Sequence, residues 1–185
     1  MANICSFSAK IVGGKKKQIK KAYDIITNKQ KNIICGRGFY TLSEEPEIKE
    51  EEKLKFSLTF DGECKWSVWS AAYDTAESMK NTPENWSADS FKGVDLILNI
   101  LDVSKVTETS IEFFSTECGM CFSEHILIEN GEIKTFDVSD YYEICVEDYQ
   151  SKKDAEEDLE IEISDEKWES EEYIAIGEPS YEFSI

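Results

Sequence analysis

ICSFSAKIVGGKKKQIKKAYDII, residues 4–26, is the stretch from which the rest of the chain can be read. In its first half Cys5, Phe7, Ala9 and Ile11 alternate with Ser6, Ser8 and Lys10. That alternation puts the apolar side chains on one face of a half-buried strand. Gly13-Gly14 ends it. In the second half Ile19, Ala22, Tyr23 and Ile26 share one side at helical spacing, with lysines around the rest, which predicts an amphipathic helix over residues 15–28. A strand leading through a glycine turn into a helix implies a helical layer packed on a sheet.

Working outward, residues 33–35 read as a short second strand, interrupted by Gly36-Arg37-Gly38 and continued by residues 39–42. Residues 44–52 are charged, contain Pro46 and read as an exposed loop. Leu54, Phe56, Leu58 and Phe60 then alternate with Lys55, Ser57 and Thr59, the clearest strand signal in the chain. Asp61-Gly62 reads as a turn, and Trp66 and Val68 as the return strand of a hairpin over residues 54–73. Residues 83–86 introduce a second helix, with Ser87 or Asp89 as its N-cap and Phe91, Val94, Ile97, Leu98 and Leu101 on one face. Ile111 and Phe113 begin another strand, which breaks at Cys118-Gly119. Ile126 and Ile128 precede Asn130-Gly131, the pair suited to a hairpin turn that needs positive φ twice, and Ile133 and Thr135 return. Residues 141–146 read as a further strand or a short helix.

The order is β-α-β-β-β-α-β-β-β, an α+β pattern. Its best fit is a ferredoxin-like antiparallel sheet with two helices on one face and extra strands. Residues 1–149 are expected to form this domain. Residues 150–185, where Leu159, Ile161 and Ile163 alternate with acids, form an acidic C-terminal extension, part strand and part loop.

Composition narrows the function. The 185 residues are 41% hydrophobic and 12% aromatic, enough for a sizeable core. The net charge of −19 is uneven: residues 1–43 carry nine Lys/Arg and one acid, whereas residues 143–185 carry sixteen acids and three lysines. Such a field repels nucleic acid and membrane surfaces and steers basic proteins. There is no long apolar run and no basic segment leading into an apolar one at the start, so a cytoplasmic protein is expected. In a reducing compartment the six cysteines read mostly as small buried hydrophobes.

Few residues offer chemistry. Cys118-Gly119-Met120-Cys121 with His125 is the one compact metal-like grouping, and it lacks a second Cys-x-x-Cys to complete a tetrahedral site. A redox dithiol favours a helix N-terminus, whereas this pair sits between two strands. Structural, metal and redox roles all remain open for Cys118, Cys121 and His125, with the structural one preferred. His125 is the only histidine, so any histidine acid–base chemistry would depend on it. Neither Gly13-Gly14-Lys15 nor Gly36-Arg37-Gly38 completes a phosphate-binding fingerprint. Lys15, Lys16, Lys17, Lys20 and Lys21 form a basic helix face that reads as solvated or paired with the protein's own acids. No cofactor is called for. Trp66, Trp69, Tyr73 and Trp86 make a dense aromatic group from which Trp69 is the candidate protein-binding anchor.

Residues 3–6 opening a strand that ends at Gly13, the Lys65-Trp66-Ser67-Val68 segment, and the stretch from Glu117-Cys118-Gly119 to Gly131-Glu132 resemble the YubB-like family. Ile4 and Phe7 stand where that family has Trp and its second Asn. The resemblance implies a ferredoxin-like domain carried on a plasmid or phage. Together with the charge, it makes the expected function non-enzymatic: an acidic protein engaging a basic nucleic-acid-binding partner, as a nucleic-acid mimic or an inhibitor of a host defence nuclease. Glu156, Glu157, Asp158, Glu160, Glu162, Asp165 and Glu166, with Trp69, are the expected contact residues. A small metal or redox protein built on Cys118 and Cys121, or a housekeeping domain, are the alternatives.

Overall fold

The computed structural model describes residues 4–30, 32–35, 39–41, 46–51, 55–65, 67–73, 95–117, 120–177 and 182–185. Strand β1 (Ile4–Gly13) runs into helix α1 (Lys16–Ile26) as the opening segment predicts. Then follow β2 (Ile33–Cys35), β3 (Tyr40–Thr41), β4 (Lys49–Glu50), β5 (Phe56–Lys65), α2 (Val68–Tyr73), β6 (Leu96–Leu98) and α3 (Ile100–Thr107). A three-strand meander, β7 (Thr109–Glu117), β8 (Phe122–Glu129) and β9 (Glu132–Asp140), comes next. The chain continues with β10 (Tyr142–Cys145), a 3-10 turn, α4 (Lys152–Leu159), α5 (Asp165–Ser170) and β11 (Tyr173–Ile176).

The chain is an α+β protein built on a large antiparallel sheet. Its strand order is β3-β5-β1-β7-β8-β9, with β4 also pairing β5. Register explains the core. Leu58, Ile11, Ile111 and Ile128 are successive partners across four strands, and Phe60, Ala9, Phe113 and Ile126 form the next row but one. Both rows lie on one face and are buried, so each strand's alternation adds to a single apolar surface. Ile19, Ala22, Tyr23, Ile25 and Ile26 of α1 are buried in the same core, and α3 packs against α1, β7 and β8. Phe7 sits at the centre, edge-on to Phe39, Phe60 and Phe113 at 5.4–5.8 Å.

Several local readings change. Val68–Tyr73 is a helix rather than the return strand of a hairpin, Lys49–Glu50 is a short strand within the expected 44–52 loop, and Lys152–Leu159 and Asp165–Ser170 are helices where strand and loop are expected. Asp61-Gly62 is not a turn: β5 runs straight through it, pairing Asp61 with Ser8 and Gly62 with Phe7. A glycine inside a strand marks close approach as readily as a turn, and here it lies opposite the ring at the centre of the core. Ile97 and Leu98 belong to β6, paired in parallel with β2, rather than to the second helix. The helix starts after them because Asn99 accepts from the Asp102 amide while Asp102 accepts from the Asn99 amide, a reciprocal cap. The part of that predicted helix bearing Phe91 and Val94 lies outside the described residues, as do Leu54, Trp66 and Trp86. Leu159–Ile163 is not a strand: Leu159 ends α4, where Glu160 takes a left-handed φ of 56°.

The Asn130-Gly131 turn forms as expected, with φ of 53° and 79°. A side chain at 131 would meet Lys105 Cβ at 2.9 Å, so the turn is fitted against α3. A second, smaller core joins Ile144, Ala155, Ile163 and Ile174, with Tyr142, Leu159 and Trp168 packed around it. β10 and β11 are its two-stranded sheet. Gly177 closes it: at φ 73° it lies so near the Asp140 backbone that a Cβ would come within 2.0 Å of the Asp140 carbonyl oxygen. No helix among the described residues is long and apolar enough to cross a membrane.

Candidate functional site

The acidic residues lie on the second core's outer surface. Ser151 caps α4 by accepting from the Asp154 amide, and Ser164 caps α5 by accepting from the Lys167 amide. These caps supply the helix starts that a run of acids alone would not, and Asp154, Asp165 and Glu166 in the first turns suit the helix dipoles. Glu157, Asp158, Glu160, Glu162, Asp165 and Glu166 are exposed. Glu156 is half-buried, accepting from the Ile163 amide at 2.9 Å. Lys152 bonds Asp165 at 2.6 Å and lies 3.5 Å from Glu156, and Lys153 is 3.2 Å from Glu157. The Lys152 bond holds the Asp165 carboxyl below its ordinary value. Among the described residues, the ion pairs of this unit involve only those two lysines.

Trp69 is half-buried on α2, where it stacks on Phe136 of β9 at 3.7 Å and packs against the main core. Cys118 lies outside the described residues, Cys121 is exposed at φ 57°, and His125 points from the sheet face opposite the helices. There His125 Nε2 is 2.8 Å from Glu112 Oε1 and Nδ1 is 3.7 Å from Asp137, while the imidazole stacks on Phe114. Among the described residues no three His, Cys, Asp or Glu side chains are grouped to hold a metal. Cys5, Cys35 and Cys64 are buried, and a hydrogen bond with the facing Cys5 thiol, together with burial, raises the Cys64 thiol well above its ordinary value.

Among the described residues three glutamates are buried, Glu112, Glu117 and Glu124, none of them a site candidate from the sequence. Glu112 is fully buried and accepts from the Ser184 amide at 2.7 Å, the Ser184 hydroxyl at 2.9 Å and the Ile185 amide at 3.2 Å, besides facing His125. Phe183 sits edge-on to Phe114 at 5.3 Å. The Glu112 carboxylate therefore clamps residues 183–185 onto the back of the sheet.

Glu124 is on the helix-bearing face, in the row that Ile126 and Ile128 continue, and is 5% exposed. It accepts from Ser115 Oγ at 3.0 Å and from the Val68 and Trp69 amides at 3.1 and 3.4 Å, all at Oε2. It also lines a pocket of about 270 Å³ with Ser67, Ser70, Met120, Phe122 and Val138. Burial raises its carboxyl above the ordinary value, and the Ser115, Trp69 and Val68 donors oppose the shift without cancelling it. A carboxyl whose pKa is raised in the folded state favours folding below its unfolded value, and that contribution is lost as pH rises through the folded one. Stability should therefore fall as pH rises from the ordinary carboxylate value through the raised one. Thermal melts across that window should show the fall in the native protein and its loss in Glu124→Gln.

No family model matches the chain, and no curated protein or solved structure matches it.

Proposed function

We propose that the chain is a binding protein rather than an enzyme, whose carboxyl-terminal unit presents an ordered array of carboxylates to a basic, nucleic-acid-binding protein. The second core carries this reading. Because Ile144, Ala155, Ile163 and Ile174 pack together, the acids of α4 and α5 project from fixed backbone instead of a solvated tail. An array held in place loses less conformational freedom on binding than a disordered one. Asp158, Glu160, Glu162 and Glu166 face solvent with no lysine of this unit pairing them among the described residues. They would carry the field that attracts a cationic surface. Inhibition of a host nuclease by mimicry of nucleic-acid charge is the concrete form, acting in the cytoplasm.

The strand order supports a ferredoxin-like reading of the main sheet. β1–α1–β3 spans β5, and β5–α3–β7 spans β1, which gives β7-β1-β5-β3 with β8 and β9 as extra strands on one edge. A mobile-element origin belongs to the same proposal and rests on the sequence resemblance to the YubB-like family alone.

Location separates this proposal from acidity in general. Reversing Glu157, Asp158, Glu162 and Glu166 to Lys should abolish capture of basic nucleic-acid-binding proteins by the immobilised chain. Reversing Glu47, Glu50, Asp95 and Glu132, an equal change of net charge, should leave capture intact, and added duplex DNA should elute the captured proteins. Equal loss from the two sets of substitutions would reduce the effect to bulk charge and contradict the proposal.

A further inference from the structure

We propose that the Glu124 pocket receives a lysine or arginine side chain of the protein partner, with its apolar stem against Phe122, Val138 and Met120 and its cation on the carboxylate. The inference rests on the reading of a basic partner and names a second, short-range contact that the acidic unit does not supply. Three features converge on it. The pocket, about 270 Å³, has room for one long side chain. A carboxylate 5% exposed lines it, held by the Ser115 hydroxyl and the Val68 and Trp69 amides at Oε2 and by the Ser67 side chain, all neutral donors that leave its charge unpaired. The surroundings are apolar and open: Met120 is 60% exposed and Val138 57%, and the Trp69–Phe136 stack stands beside them, Phe136 and Val138 lying on the same face of β9. An apolar rim around a buried carboxylate matches a side chain with a hydrocarbon stem and a charged tip. A neutral ligand would leave that carboxylate without a counter-charge.

The titratable groups on this sheet face beside Glu124 are Cys64 of β5, whose thiol stays neutral, Glu117 of β7, whose carboxylate accepts from the Met120 amide, and Asp140 of β9, the register partner of Phe122. No cation among the described residues faces it. A bound cation favours the ionised carboxylate, so affinity should rise with pH through the raised value of Glu124 and level off above it.

The experiment titrates the whole chain with N-acetyl-lysine methylamide, N-acetyl-arginine methylamide and the neutral N-acetyl-norleucine methylamide, following backbone amide shifts by NMR. Shifts should cluster at residues 67–70, 122–124 and 138, and a cationic probe should bind about tenfold or more tightly than the norleucine probe. Affinity should increase as pH rises through the raised carboxyl value of Glu124. Glu124→Gln should bring the cationic probes down to the norleucine level. Val138→Tyr, which narrows the mouth at an exposed position and leaves Glu124 in place, should weaken all three probes. Equal binding of norleucine, unchanged binding by Glu124→Gln, or shifts confined to residues 154–166 would overturn the inference. Absence of probe binding together with retained capture of basic proteins would sink this pocket and leave the acidic unit standing; the converse would sink the acidic unit alone.

Discussion

Phe7→Ala should destabilise the protein by about 3–5 kcal/mol, the range for removing a fully packed aromatic side chain. Phe7 is 4% exposed and contacts three rings edge-on, Phe39, Phe60 and Phe113, so no single neighbour can move in to fill the space. Its partner on β5 is Gly62, which has no side chain to collapse inward, and its partner on β7 is Ser115, whose hydroxyl is held by Glu124. The resulting cavity would remain at the join of β1, β5 and β7. Urea unfolding followed by tryptophan fluorescence measures the loss. Phe7→Leu, which keeps most of the volume, should lose appreciably less. Equal losses in the two variants would contradict the cavity argument, because Leu refills most of the space that Ala leaves empty.

Glu112→Ala should destabilise by about 3 kcal/mol, because it strips a buried acceptor from several donors at once. The Ser184 amide and hydroxyl and the Ile185 amide all end on this carboxylate, and His125 Nε2 lies 2.8 Å from it. Removing it should also release residues 183–185 from Phe114. Limited carboxypeptidase digestion should shorten the variant much faster than the native protein. Glu112→Gln retains an acceptor oxygen and should lose less of both stability and protection. A carboxypeptidase rate unchanged in Glu112→Ala would mean that the clamp does not hold the tail.

Much of the fold could be read from alternation. Cys5 to Ile11, Phe56 to Phe60 and Ile126 to Ile133 each face the core as their spacing predicts, and α1 buries the predicted face. The misread turn and the misread helix start share a cause, pairing over long range. Glycine in Asp61-Gly62 signals either a turn or a close packing partner, and only the register with Phe7 decides between them. Leu96–Leu98 is a three-residue parallel pairing with β2, a long-range contact for which local periodicity carries no mark. The acidic residues were legible by charge, yet the core that orders them was not. Ala155 and Ile163 are single apolar positions in an acidic background, and they gain meaning only when β10 and β11 bring Ile144 and Ile174 beside them. Glu124 was legible in principle: it has the parity of Ile126 and Ile128, so the strand that buries them also carries the acid inward. Glu112 was harder, since its burial depends on a tail more than seventy residues away.

The most direct test of the acidic array as a binding surface is the salt dependence of its affinity for a captured basic protein. Isothermal titration between about 50 and about 300 mM salt should show the affinity of the native chain falling by about tenfold or more. The chain with Glu157, Asp158, Glu162 and Glu166 reversed should bind weakly across the same range. An affinity for the native chain that stays flat with salt would contradict the account, because a field of exposed carboxylates must be screened.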